Sequence, residues 1–266
     1  MRLKDRVAIV VGAGQSPGEG VGNGRAAALT FAREGARVLC VDRDRAGADA
    51  TAAAIASAGG TAAAFAADVV HESDMAAMVA DAMSRWGRVD VLHNNVGVSI
   101  AGGDAALADI TEDGFDRVVA INLRGTVMAC KHVVPVMRAQ KSGAIVNISS
   151  IAAWSVYPYV AYKATKAAMI AFTQQLALAN APYGVRANAI LPGLINTPMA
   201  VDTRARAFNR PRAEVEAERD AQVPLRGRMG TAWDVANAAL FLASDEASFI
   251  TGVALPVDGG ALAKVG

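Results

Sequence analysis

Short runs of aliphatic and β-branched residues alternate with longer stretches of helical periodicity along most of this chain. The apolar runs Val7–Val11, Arg37–Val41, Ala62–Ala66, Val89–His93, Ala144–Ile148, Val185–Leu191 and Val253–Val257 predict strands. Residues 24–34, 46–58, 73–86, 112–138, 160–181 and 231–243 predict the helices between them. Strands that are apolar throughout belong in a sheet covered on both faces, and helical crossovers make that sheet parallel. Right-handed crossovers then give an α/β fold, a doubly wound parallel sheet of about seven strands with helices on both faces. Its ligand crevice lies beyond the carboxyl ends of the strands. Thr231-Ala232-Trp233-Asp234 has the Thr-x-x-Asp form of a helix start and supports the last helix. No repeat, low-complexity tract or Pro/Ser-rich linker interrupts the alternation, so residues 1–266 read as one domain.

One segment departs from the pattern. Residues 200–225 follow a strand, carry many charges and contain the helix breaker Pro211. An insertion there overhangs the carboxyl edge, where a lid over a substrate would sit. A solvated surface helix pair is the plainer alternative.

Composition narrows the class without naming a chemistry. With 266 residues, 53% of them apolar, the chain can bury a large core. Its 26 basic and 25 acidic residues leave a net charge of +1, so charge gives no case for nucleic acid or an anionic membrane. No apolar run has membrane-spanning length, and Lys4-Asp5-Arg6 before the short run Val7–Val11 does not form a signal peptide. Cys40 and Cys130 lie in apolar segments, and the three His show no metal-ligand spacing. We expect reduced core cysteines, no metal site and a cytoplasmic protein.

The first strand runs into Gly12-Ala13-Gly14 and then Gly18-Glu19-Gly20-Val21-Gly22-Asn23-Gly24, followed by a helix. Glycines between strand and helix let backbone N–H groups approach a pyrophosphate that also gains from the helix dipole. The ordinary Gly-x-Gly-x-x-Gly is not met from Gly12, because position 17 is Pro. Gly-x-x-x-Gly-x-Gly fits either literally at Gly18, Gly22 and Gly24, or with Gly12 first and about six residues inserted. The second parsing is preferred, because Gly12 stands where the tight turn is needed. The next strand ends at Asp42, which can accept from the adenosine ribose hydroxyls and would repel a 2′-phosphate. That favours NAD over NADP, although Arg43 could pair with such a phosphate. Asp68 and Val69 follow the third strand, where adenine would lie; Asp68 alone also suits a helix cap.

Tyr162 and Lys166 are one helical turn apart on one face. A neighbouring ammonium favours phenolate, which would bring the tyrosine towards acid/base work nearer neutrality.

Taken in order, these residues resemble the classical short-chain dehydrogenase/reductase family, over nearly the whole chain. The resemblance includes Asn94-Asn95-Val96-Gly97, Asn122 in Ile121-Asn122-Leu123, Ser150 after Asn147-Ile148-Ser149, Tyr162-x-x-x-Lys166, Pro192-Gly193 leading to Thr197-Pro198, and Val257-Asp258-Gly259-Gly260. It implies a Rossmann-type fold and hydride transfer between NAD(H) and a secondary alcohol or ketone. Tyr162 would be the acid/base, Lys166 would lower its pKa and bond the nicotinamide ribose, and Ser150 would hold the substrate oxygen. Asn122 would order a water in the proton relay, with a helix-kink hydrogen bond as the compatible plain role. Gly12, Gly22, Asn23, Gly24, Asp42, Asp68, Val69, Asn95, Gly97, Ile195 and Thr197 complete the expected cofactor site.

Ser149 is the competing serine, and Thr197 also reads as a turn cap before Pro198. Ser150 precedes Tyr162 by 12 positions, about one fewer than the family pattern, which should reshape the intervening loop. Val98, Ser99, Ala152, Trp154, Tyr157, Leu194, Met199 and Phe208 are the pocket candidates, mostly apolar and suited to a carbon frame. Arg204, Arg206, Arg210 and Arg212 could grip an anion, but Glu214, Glu216 and Glu218 favour a self-paired surface helix. The resemblance further implies a homotetramer, or a homodimer, built on the two long helices and the final strand. The alternatives are an NADP-dependent ketone or 3-oxoacyl reductase, a lyase of halohydrin dehalogenase type, or a non-catalytic nucleotide-binding protein. The retained glycines and Lys166 argue against the lyase, and the intact Ser150–Tyr162–Lys166 set against the last.

Overall fold

The computed structural model describes residues 1–264. Its first half alternates β1 (Val7–Val11), α1 (Asn23–Arg33), β2 (Arg37–Asp42), α2 (Arg45–Ser57), β3 (Thr61–Ala66), α3 (Glu72–Trp86) and β4 (Val91–Asn94). Then come α4 (Glu112–Val119), a π-turn over Ala120–Arg124, α5 (Gly125–Gln140), β5 (Gly143–Ile148), α6 (Val160–Asn180) and β6 (Val185–Pro192). A short strand β7 (Ile195–Asn196) leads to α7 (Asp202–Ala207) and α8 (Arg212–Asp220). The chain closes with β8 (Gly230–Thr231), α9 (Ala232–Ala243) and β9 (Ala254–Val257).

Seven strands form one parallel sheet in the order β3-β2-β1-β4-β5-β6-β9. Successive residues of each strand point to opposite faces, so an apolar strand feeds two cores at once. Ala8, Val10, Val38, Cys40, Val91 and Val146 pack with Phe31 of α1 and Val235, Ala239 and Leu242 of α9. Ile9, Val11, Leu39, Leu92 and Ile145 face the other way, onto Met75 and Met78 of α3 and Val133 and Met137 of α5. Cys40 and Cys130 are free and buried, one in each layer. Burial pushes both thiols up to about 12.

Two departures from the sequence reading bear on the site. The run 112–138 is not one α-helix: the π-turn interrupts it around Asn122, because the Asn122 side chain bonds the backbone of Val98 rather than facing outward. Residues 200–225 do form a helix pair, α7 and α8, but the pair has its own small core. Val201, Val215, Val223 and Met229 are buried there, with Leu194 and Ala205 packed against them. The last helix begins as expected, with the Asp234 carboxylate accepting from the Thr231 amide at 2.7 Å.

Strand order reverses between β1 and β4, which leave the centre of the sheet towards opposite edges. A crevice at that point opens between the loops that follow them. Gly12, Asp42, Asn95, Ser150 and Gly193 all lie at the carboxyl edge of the sheet.

Candidate active site

Gly12 has φ of +83°, the left-handed region, and makes the turn out of β1. A Cβ on Gly24 would fall 1.9 Å from the Gly12 carbonyl oxygen, so α1 packs against β1 only with glycine there. The close pair is therefore Gly12 and Gly24, as the inserted-loop parsing requires. Helix α1 starts at Asn23 with Gly22 as its cap, and no acidic residue occupies its first turn. The inserted loop is held by Gln15, which donates to Gly20 O at 2.7 Å and accepts from Gly22 N at 3.4 Å.

Asp42 is tied to that loop: one carboxylate oxygen accepts from Gly14 N at 2.9 Å, the other from Asp44 N at 3.0 Å. Beyond it lies a cleft of about 520 Å³ lined by Arg43, Asp44, Ala66, Ala67, Asp68 and Asp74. Asp68 accepts from Val70 N at 3.1 Å, stabilising its own turn, while His71 occupies the cap position of α3. Val69 is buried against Gly125, where a Cβ would come within 2.7 Å of it. Asn95 donates to Gly12 O at 3.1 Å and so links the two loops that flank the crevice.

Helix α6 brings Tyr162 and Lys166 to the crevice. The Lys166 ammonium is buried, donates to Ile148 O at 2.7 Å, and lies 5.6 Å from the centroid of the Tyr162 ring. A Cβ on Gly97 would meet Lys166 Nζ at 3.0 Å and Asn122 Oδ1 at 3.6 Å, so only a glycine leaves that space open. Ser149 and Ser150 separate cleanly: the buried Ser149 hydroxyl donates to Lys166 O at 2.7 Å, whereas Ser150 bonds towards the phenol of Tyr162. Ser150 Oγ also accepts from Ala152 N at 3.1 Å, capping the short turn Ile151–Ala153 that begins the shortened loop.

The electrostatics correct one expectation. Lys166 does not make this tyrosine acidic in the protein by itself. Burial dominates and pushes Tyr162 up to about 12, opposed by the Ser150 hydrogen bond and more weakly by Arg204 and Arg219. Burial likewise pulls Lys166 down to about 7. Two groups in a dry site each favour their neutral form.

Asn122 accepts from Val98 N at 2.7 Å and donates to Val98 O at 2.9 Å and Thr165 Oγ1 at 3.2 Å. Its side chain clamps the β4 loop to α6, the kink role foreseen beside the relay role. Thr197 is buried and accepts from Ala200 N at 3.3 Å, so it does cap a turn; Ile195 is buried beside it in the β7–β8 pair.

Among the pocket candidates, Tyr157 stacks at 5.3 Å on Tyr162 and shares a 3.1 Å hydrogen bond with Ser99. Ala152 is buried, and its carbonyl accepts from Lys163. Trp154 is 54% exposed, Met199 40% and Phe208 51%, which places them on the rim rather than the wall. Leu194 turns into the lid core. The self-paired reading preferred over an anion grip holds for Arg210 and Arg212. Arg210 pairs with Glu218 at 2.7 Å, Arg212 with Glu216 and Asp202, and Arg206 donates to Pro17 O.

Sequence reasoning missed Asp104. It is buried, accepts from Ala161 N at 2.9 Å and Tyr162 N at 3.0 Å, and takes the Ser99 hydroxyl at 3.1 Å. It thus caps α6 from a distant loop that carries no periodic signal. Arg219 was missed too, hidden in the acidic run of α8. Among the described residues no cluster of metal ligands occurs, and no helix is long and apolar enough to cross a membrane.

Residues 19–261 match the family model described as enoyl-(acyl carrier protein) reductase. The chain is 36% identical over 260 residues to 2-(S)-hydroxypropyl-CoM dehydrogenase 3 of Xanthobacter autotrophicus, covering 97% of each chain. It is 37% identical to a sorbitol dehydrogenase of Cereibacter sphaeroides, covering 98% of each. A crystal structure from Burkholderia xenovorans assigned to the short-chain dehydrogenases/reductases superimposes with a TM-score of 0.90 at 42% identity, over 100% of this chain and 99% of that one. Fold, crevice and likeness together define a nicotinamide-dependent oxidoreductase acting on CH–OH groups. The chain belongs to the short-chain dehydrogenase/reductase family.

Proposed function

We propose that this protein transfers hydride between NAD(H) and a secondary alcohol or ketone. The observation that carries the reading is the meeting of Ser150, Tyr162 and Lys166 beside the Gly12–Gly24 turn at the switch point of the sheet. The residues present fit a dinucleotide: the glycine approach leaves room for a pyrophosphate at the start of α1, and Asn23 Oδ1 is a buried acceptor without a partner. Gly12, Gly22, Asn23 and Gly24 would hold the pyrophosphate end. Asp42, Asp68 and Val69 would hold the adenosine end, and Asn95, Gly97, Ile195, Thr197 and Lys166 the nicotinamide end. When bound, the cofactor supplies the hydride donor or acceptor and, in its oxidised form, a positive charge.

The chain's own residues manage the proton. Ser150 Oγ holds the substrate oxygen, so proton and hydride positions stay aligned. In reduction the Tyr162 hydroxyl donates to that oxygen; in oxidation the phenolate removes the proton. The Lys166 amine lies 5.6 Å from the centroid of the phenol ring and, with its pKa near neutrality, can pass a proton on. Asn122 keeps the Val98 loop in place for the relay. Because burial favours the protonated phenol, reduction suits neutral pH and oxidation gains with alkali. Ala152 and Tyr157 would wall the pocket, with Trp154 and Met199 at its rim and Leu194 behind it in the core of the helix pair. The relatives named above are a hydroxypropyl-CoM dehydrogenase and a sorbitol dehydrogenase, so alcohols of both kinds belong in the first substrate screen.

Asp42 at the end of β2 supports NAD, since a 2′-phosphate would face its carboxylate. Arg43 lines the same cleft and supports the second reading, an NADP-dependent ketone or 3-oxoacyl reductase. Titration of NADH against NADPH by fluorescence decides between them; tighter NADPH binding overturns the first. The decisive test of the chemistry is Tyr162→Phe, read at the NADH absorbance band. Turnover should fall about 100- to 10,000-fold while NADH still binds. Undiminished turnover would refute the proposal. A homotetramer built on α4, α5, α6 and β9 follows the family expectation and is tested by sedimentation.

A further inference from the structure

The lid carries five arginines on α7, α8 and the turn between them, and they are not equivalent. Arg210 has Glu214 and Glu218 as carboxylate partners. Arg212 has Glu19, Asp202 and Glu216, and its Nη2 donates to Asn196 Oδ1 at 2.9 Å. Arg206 is exposed and bonds the Pro17 carbonyl and Thr203. Arg204 and Arg219 have no carboxylate in ion-pair reach among the described residues. Arg204 donates only to Ala200 O at 3.0 Å, and Arg219 Nε only to the Met229 sulfur at 3.4 Å.

Both are only partly exposed, and both lie within electrostatic reach of Tyr157 and Tyr162. Arg204 acts electrostatically on Tyr157 and Tyr162, and Arg219 on the same two phenols and on Arg204. Two acidic groups act on this cluster and both are already engaged: Asp104, which acts on Tyr157, accepts from Ala161 N, Tyr162 N and Ser99, and Glu218, which acts on Arg219, pairs with Arg210 at 2.7 Å. Burial, followed by repulsion from Arg204, pulls Arg219 down to about 10. Two like charges crowded in a partly dry wall lack the counterion that every other lid arginine but the exposed Arg206 possesses.

We infer that Arg204 and Arg219 form an anion-binding subsite, and that the substrate is a secondary alcohol or ketone bearing a carboxylate, sulfonate or phosphate. The inference rests on the reaction proposed above and names its substrate class. Ser150 and Tyr162 take the reacting oxygen, and the two guanidinia take the charged end from the lid side. A planar guanidinium matches such oxyanions through paired N–H donors, and two of them offer more than a single point charge.

Two measurements test this. The first compares short secondary alcohols with and without a terminal carboxylate or sulfonate, in wild type, Arg204→Gln, Arg219→Gln and Arg210→Gln. The ratio of kcat/KM for anionic over neutral alcohols should fall about ten- to a hundred-fold in the first two variants, mostly through KM. Arg210→Gln, on the same lid but already paired, should leave that ratio unchanged. The second is calorimetric titration of butanesulfonate with NADH saturating, which needs no turnover. Binding should occur in wild type and Arg210→Gln and be lost in Arg219→Gln. Equal binding in all variants, or none in wild type, overturns the subsite. If no alcohol of either kind is turned over, the proposed reaction fails, while the titration still decides the anion site.

Discussion

Replacing Asp104 should weaken the fold and the chemistry together, because one carboxylate holds the start of the helix that carries Tyr162 and Lys166. It accepts from two amides, Ala161 N and Tyr162 N, and from the Ser99 hydroxyl, and it is 6% exposed. Loss of a helix cap costs about 0.5–2 kcal/mol, and leaving buried donors unpaired adds about 1–3 kcal/mol. Asp104→Ala should therefore cost about 2–4 kcal/mol. At ~2–4 °C per kcal/mol for a chain of this size, the melting temperature should fall about 5–15 °C. Asp104→Asn keeps one oxygen acceptor but loses the charge at the helix start, so about 1 kcal/mol is expected. The released first turn carries the phenol, and a shift of roughly 1 Å can cost on the order of 100-fold in rate. Scanning calorimetry and steady-state kinetics on the same preparations measure both effects. If Asp104→Ala melts within about 1 °C of wild type and keeps its kcat, the capping argument is wrong.

Three further outcomes follow from the geometry. Gly24→Ala would drive a methyl to 1.9 Å from the Gly12 carbonyl; α1 must shift, and NADH affinity measured by fluorescence should drop at least about ten-fold. Asp42→Asn keeps acceptor oxygen for Gly14 N while removing the charge, so NADPH affinity relative to NADH should rise about ten-fold or more in paired titrations. For Lys166 the folded pKa of about 7 lies below its ordinary 10.5, so between those values the unfolded chain binds more protons and stability rises with pH. The stability of wild type relative to Lys166→Met should therefore climb from about pH 7 to about pH 10 in urea titrations, and a flat difference would contradict the burial of this amine.

The sheet was legible because its central strands are short, mainly apolar runs bounded by turns and buried on both faces. Helix boundaries came within a residue or two wherever a cap or glycine marks them, as at Thr231 and Gly87. The break at Asn122 was foreseen only as a helix-kink hydrogen bond beside the family resemblance; the periodicity itself runs unbroken through 112–138, since a π-turn arises from a tertiary bond to Val98 and leaves no local pattern. Tyr162, Lys166 and Ser150 announced themselves by spacing and resemblance. Asp104 and Arg219 did not, because their importance lies in partners some 60 residues away. The pKa of Tyr162 was misjudged for a related reason: adjacency in a helix says nothing about how dry the site is.

The inserted glycine loop has a mechanical corollary. Asp202 of α7 accepts from Glu19 N at 3.3 Å, Arg206 reaches Pro17 O, and Gly18 leaves no space for a Cβ against the Asp202 carboxylate. The extra residues between Gly12 and Gly22 are thus a tether joining the turn after β1 to helix α7. A side chain grafted at position 18 should therefore push α7 and the glycine loop apart.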